Sequence, residues 1–173
     1  FALRIAGPTL TAIALLVVPL FVYVVPAFEQ ALLARKREMI RELTASACSI
    51  LQEYQQDEAA GRMSRRAAQE VASAHIQFLR YGKEGKDYFW ITDLQPRMVM
   101  HPYRKDLNGT DLSGFQDPKG NRVFVAFADL VKARREGYLD YVWQGKDDPH
   151  KLVPKESYVR LFEPWGWVVG TGI

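Results

Sequence analysis

A run of 24 residues without a charged side chain, Ile5–Phe28, most constrains what this chain can fold into. In a helix, at about 1.5 Å per residue, such a run is long enough to cross a hydrocarbon layer of roughly 30 Å. Pro8, Pro19 and Pro26 interrupt the run, but helices in lipid tolerate proline better than buried helices of soluble proteins do. The sequence therefore predicts a transmembrane helix within residues 1–28, with a membrane-anchored domain behind it.

Two questions about this span stay open from the sequence. Val25-Pro26-Ala27 could also serve as the cleavage site of a secretory signal peptide, although the apolar run exceeds the roughly 7–15 residues of a signal-peptide core. Basic residues from Arg35 to Arg41 follow the span and only Arg4 precedes it, so a count of nearby charges would place the next domain inside the cell. Long domains, however, are translocated largely regardless of charge, and the charges alone do not decide the orientation.

The remaining residues, 29–173, have the composition of one folded domain. The chain is 48% hydrophobic and 25% charged, and its net charge of +3 is spread over segments of mixed sign. No segment gathers lysine and arginine around aromatic residues, as a nucleic-acid groove requires. We therefore expect a single domain that does not bind nucleic acid.

Two helices are predicted at the start of this domain. The first covers 29–60 and is expected to continue from the transmembrane helix, because no proline separates the two after Pro26. Its apolar residues recur at helical spacing, and they are Leu33, Ile40, Leu43, Ala47, Ile50 and Tyr54. Such a stripe packs either on the domain's own sheet or on the same helix of a second chain, so a homodimer through this helix is one expectation. The second helix is predicted over 64–81, with Ser64 as its N-cap.

Over residues 86–173 the pattern changes to that of strands. Aromatic and β-branched runs predict strands over 88–93, 98–101, 137–143, 157–162 and 165–171, with a helix over 123–135. Neighbouring strands joined by short connections pair antiparallel. The sequence thus predicts an α+β domain with an antiparallel five-stranded sheet and helices packed on it.

Several uncommon tracts occur in one order along this domain, and together they resemble the single Cache domain. The tracts are Tyr88–Asp93, Met100–Arg104, Asp106–Gly109, Asp111–Leu112, Gly137–Trp143, Lys155–Val159 and Phe162–Gly172. The resemblance implies a PAS-like sensor domain outside the bacterial inner membrane, in the periplasm, that feeds a methyl-accepting chemotaxis protein, a histidine kinase or a cyclase. It also implies a small carboxylate ligand such as acetate, propionate, pyruvate or lactate.

The residues themselves have the chemistry that a small carboxylate requires. Such an anion needs a cation or several N–H and O–H donors in a pocket whose walls exclude water. The candidate ligand-binding residues are Tyr88, Trp90, Tyr141, Trp143 and Tyr158 as aromatic walls with donor tips, and His101, Arg104 and Lys155 as cationic anchors. Strand alternation places Tyr88 with Trp90 on one face of their strand, and Tyr141 with Trp143 on one face of theirs.

Structural interpretations of the same residues stay open. An aromatic residue on a strand commonly belongs to the core, and His101, which precedes Pro102, could instead hydrogen-bond the backbone of its loop. Two alternatives to a sensor follow: a ligand-free structural or dimerisation module, and a docking domain for a periplasmic binding protein, which needs an exposed apolar patch. A buried polar cavity favours the sensor, and a filled one favours the structural module.

Other chemistry has weak support in the sequence. Asp106, Asn108, Asp111 and Asp117 resemble part of a calcium loop, but Gly109 comes too early for such a loop, and Asx turns explain these residues better. Neither a nucleophile motif nor a phosphate-binding glycine loop is present. We therefore expect no metal, no cofactor and no enzymatic reaction.

Overall fold

The computed structural model describes residues 15–145, 148 and 150–173. The first part of the predicted transmembrane helix, up to residue 14, lies outside the described residues. Residues up to Glu38 and the segment Met39–Ile173 form two separate compact units.

The first unit contains an apolar helix. The chain is helical from Leu15, passes through a π-helical turn at Leu20–Val24, and continues directly as helix α1, Val25–Ala59. The apolar side chains between Leu15 and Phe28 are largely exposed. By length and composition this helix is able to cross a membrane. The prediction of an apolar segment that runs into a long helix is confirmed.

The second unit adds two further helices, α2 (Arg65–Phe78) and α3 (Val123–Arg134). Ser64 caps α2 as predicted, because its side chain accepts a hydrogen bond from the backbone N–H of Ala67 at 3.2 Å. Short 3₁₀ turns occur at Lys105–Leu107 and Glu163–Trp165.

Among the described residues, six strands form one antiparallel sheet. They are β1 (Arg80–Tyr81), β2 (Asp87–Asp93), β3 (Met98–Met100), β4 (Glu136–Gln144), β5 (Leu152–Phe162) and β6 (Trp167–Gly172). Their order is β1-β2-β6-β5-β4, and β3 pairs with β2 outside this path. The predicted α+β class and antiparallel sheet are confirmed.

The extra strand corrects the predicted end of the second helix. Helix α2 ends at Phe78 rather than at residue 81, and Arg80 and Tyr81 pair with Tyr88 and Asp87 of β2. Arg80 and Tyr81 therefore pair with the next strand along the chain and do not continue the helix that their spacing had predicted.

Strand β5 begins five residues earlier than predicted, so that Pro154 and Lys155 lie inside it rather than at its entry. Pro154 lacks the N–H that an interior strand position needs. Pairing of β6 with β5 ends at Ser157 and Gly172, so residues 152–154 of β5 pair with β4 alone. This locally one-sided pairing makes proline acceptable at that position.

The sheet packs helices on both faces, which we call the α1–α2 face and the α3 face. On the α1–α2 face, Ala47 and Leu51 of α1 and Ile76 of α2 are fully buried against Phe89, Ile91 and Val169. Leu43, Ile50 and Tyr54 pack against the same cluster. This part of the predicted apolar stripe of α1 is therefore used within the domain. On the α3 face, Phe127 and Val131 pack with Trp90, Val159 and Val168.

Candidate functional site

A small cavity lies on the α3 face, between the sheet, helix α3 and the loop after β3. Its lining residues are Tyr88, Trp90, His101, Phe124, Phe127, Tyr141 and Trp143. Five of the eight predicted site residues are thus brought together, and the predicted pairs Tyr88 with Trp90 and Tyr141 with Trp143 do share this one cavity. Phe124 and Phe127 were not predicted, because their spacing on α3 is the same as that of an ordinary core face.

The cavity is tightly bounded by aromatic rings. Ring centroids lie 4.9 Å apart for Trp90 and Phe127, 5.4 Å for Phe127 and Tyr141, and 5.8 Å for Phe124 and Trp143. The space between them leaves about 10 Å³ for the centre of a water-sized molecule, about enough for one water. A larger guest must therefore displace at least one of these rings.

His101 is fixed in its neutral form. Its Nδ1 accepts hydrogen bonds from the backbone N–H groups of Tyr103 at 3.2 Å and Arg104 at 2.9 Å, which leaves the ring proton on Nε2. Burial, followed by the positive charges of Arg104 and Lys155, lowers the pKa of His101 to about 3. The predicted hydrogen bond to the loop backbone is confirmed, and the neutral ring keeps one N–H donor.

The loop that carries His101 is held by a side chain further along it. The backbone N–H of His101 donates to Oδ1 of Asn108 at 2.8 Å. This bond holds the backbone of His101, and the two bonds to Nδ1 hold its ring. The ring centroid of His101 lies 4.9 Å from that of Tyr88 and 6.1 Å from that of Trp143.

Lys155 places a positive charge beside the cavity, although it is not one of the lining residues and instead lines a separate groove with Lys151 and Pro154. It lies opposite Tyr141 in the β4–β5 ladder and is 8% exposed. Its Nζ is 5.3 Å from the centroid of the Tyr88 ring, within the range of a cation–π interaction. An ammonium group removed from water in this way interacts strongly with any anion that reaches it.

Two tyrosines of the cavity lining, Tyr88 and Tyr141, contribute phenol hydroxyl groups. Burial is the main reason that the pKa of Tyr88 is raised, and it raises the pKa of Tyr141 to about 12. Both phenols therefore stay protonated at neutral pH. The Tyr141 hydroxyl is 2.9 Å from Oγ of Ser157, which lies on the neighbouring strand.

Arg104 lies next to the cavity but is not part of its lining. Its guanidinium forms two short hydrogen bonds to Asp106, from Nε to Oδ1 at 2.9 Å and from Nη2 to Oδ2 at 2.7 Å. These bonds hold the pKa of Asp106 below its ordinary value. Together with Trp143 and Gln144, Arg104 lines an open groove beside the cavity. Its charge is therefore partly compensated where it stands.

Tyr158 lies on the other face of the sheet. Alternation along β5 points Lys155 and Ser157 towards the α3 face and Tyr158 towards the α1–α2 face, where its ring lies 4.8 Å from that of Tyr138. The structure therefore separates Tyr158 from the other candidates. Positions 155 and 158 differ by an odd number and so point to opposite faces, but the predicted strand began at residue 157 and left Lys155 outside it.

Two acidic residues of the loop after β3, Asp111 and Asp117, serve turns, whereas Asp106 pairs with Arg104. Asp111 accepts from the backbone N–H of Ser113 at 2.8 Å, and Asp117 accepts from those of Lys119 and Asn121 at 2.9 Å each. The predicted Asx turns are confirmed at these two residues. Within residues 15–145, 148 and 150–173, no group of three or more His, Cys, Asp or Glu side chains is arranged to hold a metal ion.

Comparison with known proteins gives a chemotaxis protein and a sensor histidine kinase as relatives. The chain is 42% identical over 138 residues to the methyl-accepting chemotaxis protein McpP of Pseudomonas putida, which covers 80% of this chain and 25% of that protein. It is 34% identical over 149 residues to the sensor histidine kinase MctS of Rhizobium johnstonii, which covers 86% of this chain and 31% of that protein. The chain thus spans about a quarter to a third of the length of these curated relatives.

A solved structure matches at the level of the domain. It was described as the structural basis for carboxylic acid recognition by a Cache chemosensory domain, and it is 43% identical to this chain with a TM-score of 0.78. The match covers 83% of this chain and 96% of the solved one. The single Cache domain 2 family matches residues 32–173, and the chain therefore belongs to the single Cache family of sensor domains.

Proposed function

We propose that this chain is the extracytoplasmic input domain of a bacterial inner-membrane receptor and that it binds a small organic acid. A methyl-accepting chemotaxis protein is the favoured receptor type, and a sensor histidine kinase is the second. The proposed ligands are two- to four-carbon acids such as acetate, propionate, pyruvate or lactate. The domain catalyses no reaction of its own.

The observation that carries this proposal is the combination of donors at one aromatic cavity. His101 with its neutral N–H and the phenols Tyr88 and Tyr141 line the same small space, and the Lys155 ammonium lies beside it, 5.3 Å from the centroid of the Tyr88 ring. A carboxylate accepts hydrogen bonds from all of these groups and neutralises the positive charge of Lys155. In surroundings from which aromatic rings exclude water, such charge-assisted bonds are stronger than at the surface.

The size of the space supports a small ligand. Since the rings leave room for about one water, the acid must move aromatic side chains as it binds. Each additional carbon of the ligand needs a larger displacement of the packed rings, so the shortest acids are favoured. The same argument disfavours aromatic and long-chain acids.

The signal is proposed to travel through the sheet to helix α1. Ligand binding selects one of two arrangements of the sheet and α1, in proportion to the difference in affinity between them. Helix α1 runs from the apolar segment into the core of the domain, where Ala47 and Leu51 are buried. A homodimer through this helix is also proposed, and the exposed Leu32, Leu33 and Met39 are apolar residues available for it.

The proposal is tested by calorimetric titration of the 173-residue chain, purified in a non-ionic detergent, with acetate, propionate, pyruvate and lactate. Acetamide and propionamide are matched controls, because they keep the shape of the acid and lack its charge. Saturable binding of at least one acid and none of the amides is the expected result. Absence of heat for all four acids, with the fold confirmed by circular dichroism, would contradict the proposal.

The small size of the cavity also supports the alternative that the domain is a ligand-free structural or dimerisation module. If the rings never open, the site is simply a polar core, and the domain would serve to connect and dimerise. In that case the acids would leave both the melting temperature and the tryptophan fluorescence unchanged. A ligand that binds the folded state raises the melting temperature as its concentration rises.

A further inference from the structure

The end of strand β6 contacts Tyr88, Trp90 and Ser157. The first two line the cavity and Ser157 is the partner of Tyr141, whereas no residue of β6 lines the cavity itself. This tract is Gly170-Thr171-Gly172. It lies between β2 and β5, the strands that carry Tyr88, Trp90 and Lys155. Its position allows it to set the spacing between the two walls.

Thr171 forms a chain of hydrogen bonds that ends at Tyr88. The Thr171 hydroxyl, which is fully buried, donates to the backbone carbonyl of Tyr88 at 2.6 Å. Because that bond uses its only proton, its oxygen accepts from the Tyr81 hydroxyl, also at 2.6 Å. The Tyr81 hydroxyl is also within 3.3 Å of the carbonyl of Gly172.

This chain of bonds lies at the end of the sheet ladder. Phe89 and Thr171 are the last paired residues of β2 and β6 at this end, and Tyr88 is the neighbour of that pair. The side-chain bond of Thr171 adds a link from β6 to the Tyr88 carbonyl at this point. The ring of Tyr88 lies on the opposite face, within 5.3 Å of the Lys155 ammonium. Thr171 therefore holds the backbone from which a central ring of the cavity projects.

The two glycines leave room for the other walls. A Cβ on Gly170 would lie 2.3 Å from Cζ2 of Trp90, so this indole can lie against the strand only where a side chain is absent. A Cβ on Gly172 would lie 2.3 Å from Oγ of Ser157. That hydroxyl is the partner of the Tyr141 phenol.

We infer that Thr171 is a positioning residue for ligand binding, acting on Tyr88 from the face opposite the cavity, while Gly170 and Gly172 keep the space that Trp90 and Ser157 need. This inference rests on the proposed function, since it concerns the same site. Thr171 does not touch the ligand. It acts by fixing the distance between Tyr88 and the Lys155 side of the cavity.

The test compares Thr171→Val with Thr171→Ser in the detergent-solubilised chain. Valine keeps the shape and removes the hydroxyl, whereas serine keeps the hydroxyl. With acetate, propionate, pyruvate and lactate as probes, Thr171→Val is expected to weaken binding by about tenfold, and Thr171→Ser to stay within about threefold of the original chain. Tyr81→Phe, which removes one bond of the chain, is expected to give a smaller loss and serves if the valine variant does not fold.

A readout without ligand separates this inference from the proposed function. In spectra of the chain with ¹³C-labelled tyrosine rings, the Tyr88 resonance is assigned by Tyr88→Phe. We expect Thr171→Val to shift it, Thr171→Ser to restore it, and the resonance of Tyr54 on α1 to stay in place. If none of the acids binds the original chain, the proposed function fails and the Tyr88 resonance alone decides the inference. An unmoved resonance in folded Thr171→Val, or a serine variant that does not restore it, would overturn the inference.

Discussion

The two faces of the sheet are built from the same strands but differ in what they bury. Along β2, Phe89 and Ile91 face helices α1 and α2, while Tyr88 and Trp90 face α3. The α1–α2 face is filled mainly by aliphatic and aromatic side chains, and it also holds the hydroxyl groups of Thr171 and Tyr81. The α3 face places a histidine and two phenols around a small space, with a lysine beside it. Under the proposed function, one alternation of residues serves stability and the other serves recognition.

The largest effect that sharpens this comparison is expected from Ile76→Ala on the α1–α2 face. Ile76 is fully buried, and its truncation should lower the free energy of unfolding by about 2–5 kcal/mol. Acid binding to the molecules that stay folded should not change. Urea denaturation with and without ligand measures both quantities. A loss of affinity as large as the loss of stability would break the separation between the faces.

Lys155→Ala should have the opposite profile. Loss of the Lys155 ammonium, which lies 5.3 Å from the centroid of the Tyr88 ring, is expected to weaken acid binding by about a hundredfold, because the carboxylate loses its charged partner. The free energy of unfolding should change less than in Ile76→Ala, since alanine removes the cost of burying the ammonium together with its contacts. Lys151→Ala, at an exposed position just before β5, is the matched control. Unchanged affinity in Lys155→Ala would remove this residue from the site.

The pH dependence of stability should identify His101 on the α3 face. Its pKa is about 3 in the folded chain against an ordinary 6.5, so the unfolded chain binds more protons between these values. Stability that is fully present above pH 6.5 should therefore fall as the pH is lowered, by at most about 1.4 kcal/mol per pH unit. His101→Asn removes this contribution. Parallel urea titrations from neutral to acidic pH should show a shallower decline in the variant, and identical slopes would contradict the assignment.

The smallest effect is expected from Tyr158→Phe. Tyr158 faces α1 and α2, so loss of its hydroxyl should leave acid affinity within about twofold of the original. Tyr141→Phe is the matched change on the α3 face, and it should weaken binding by about fivefold to tenfold because a buried donor is lost. Calorimetry on both variants makes the comparison. Equal losses would mean that the two faces are not distinct in function.

The sequence predicted which side chains share a face of the sheet where this depends only on neighbouring positions in one strand. The period of two in β2 and β4 correctly grouped Tyr88 with Trp90 and Tyr141 with Trp143. The same period would have excluded Tyr158 only if β5 had been predicted to begin before Lys155, as it does in the structure. Residues whose role depends on distant partners were harder to interpret. Tyr81 reads as the end of a helix until its partner Thr171, ninety residues away, is known.

Charge presented a related difficulty. Arg104 is a plausible anchor in the sequence, but Asp106 two residues later binds its guanidinium. His101 reads as a cation, whereas burial keeps it neutral and its Nδ1 serves the loop. In both cases the side chain was identified and its electrostatic state was not, because that state depends on neighbours that only the folded chain supplies.

The narrowness of the cavity has a consequence for what a sensor can report. A site already shaped for its acid would bind tightly and change nothing else in the molecule. Here the aromatic rings close around a space of about one water, so under the proposed function part of the free energy of acid binding would be used to separate them. That part would be lost from affinity and become available to move the sheet. On this proposal the domain trades sensitivity to low ligand concentrations for a larger conformational response.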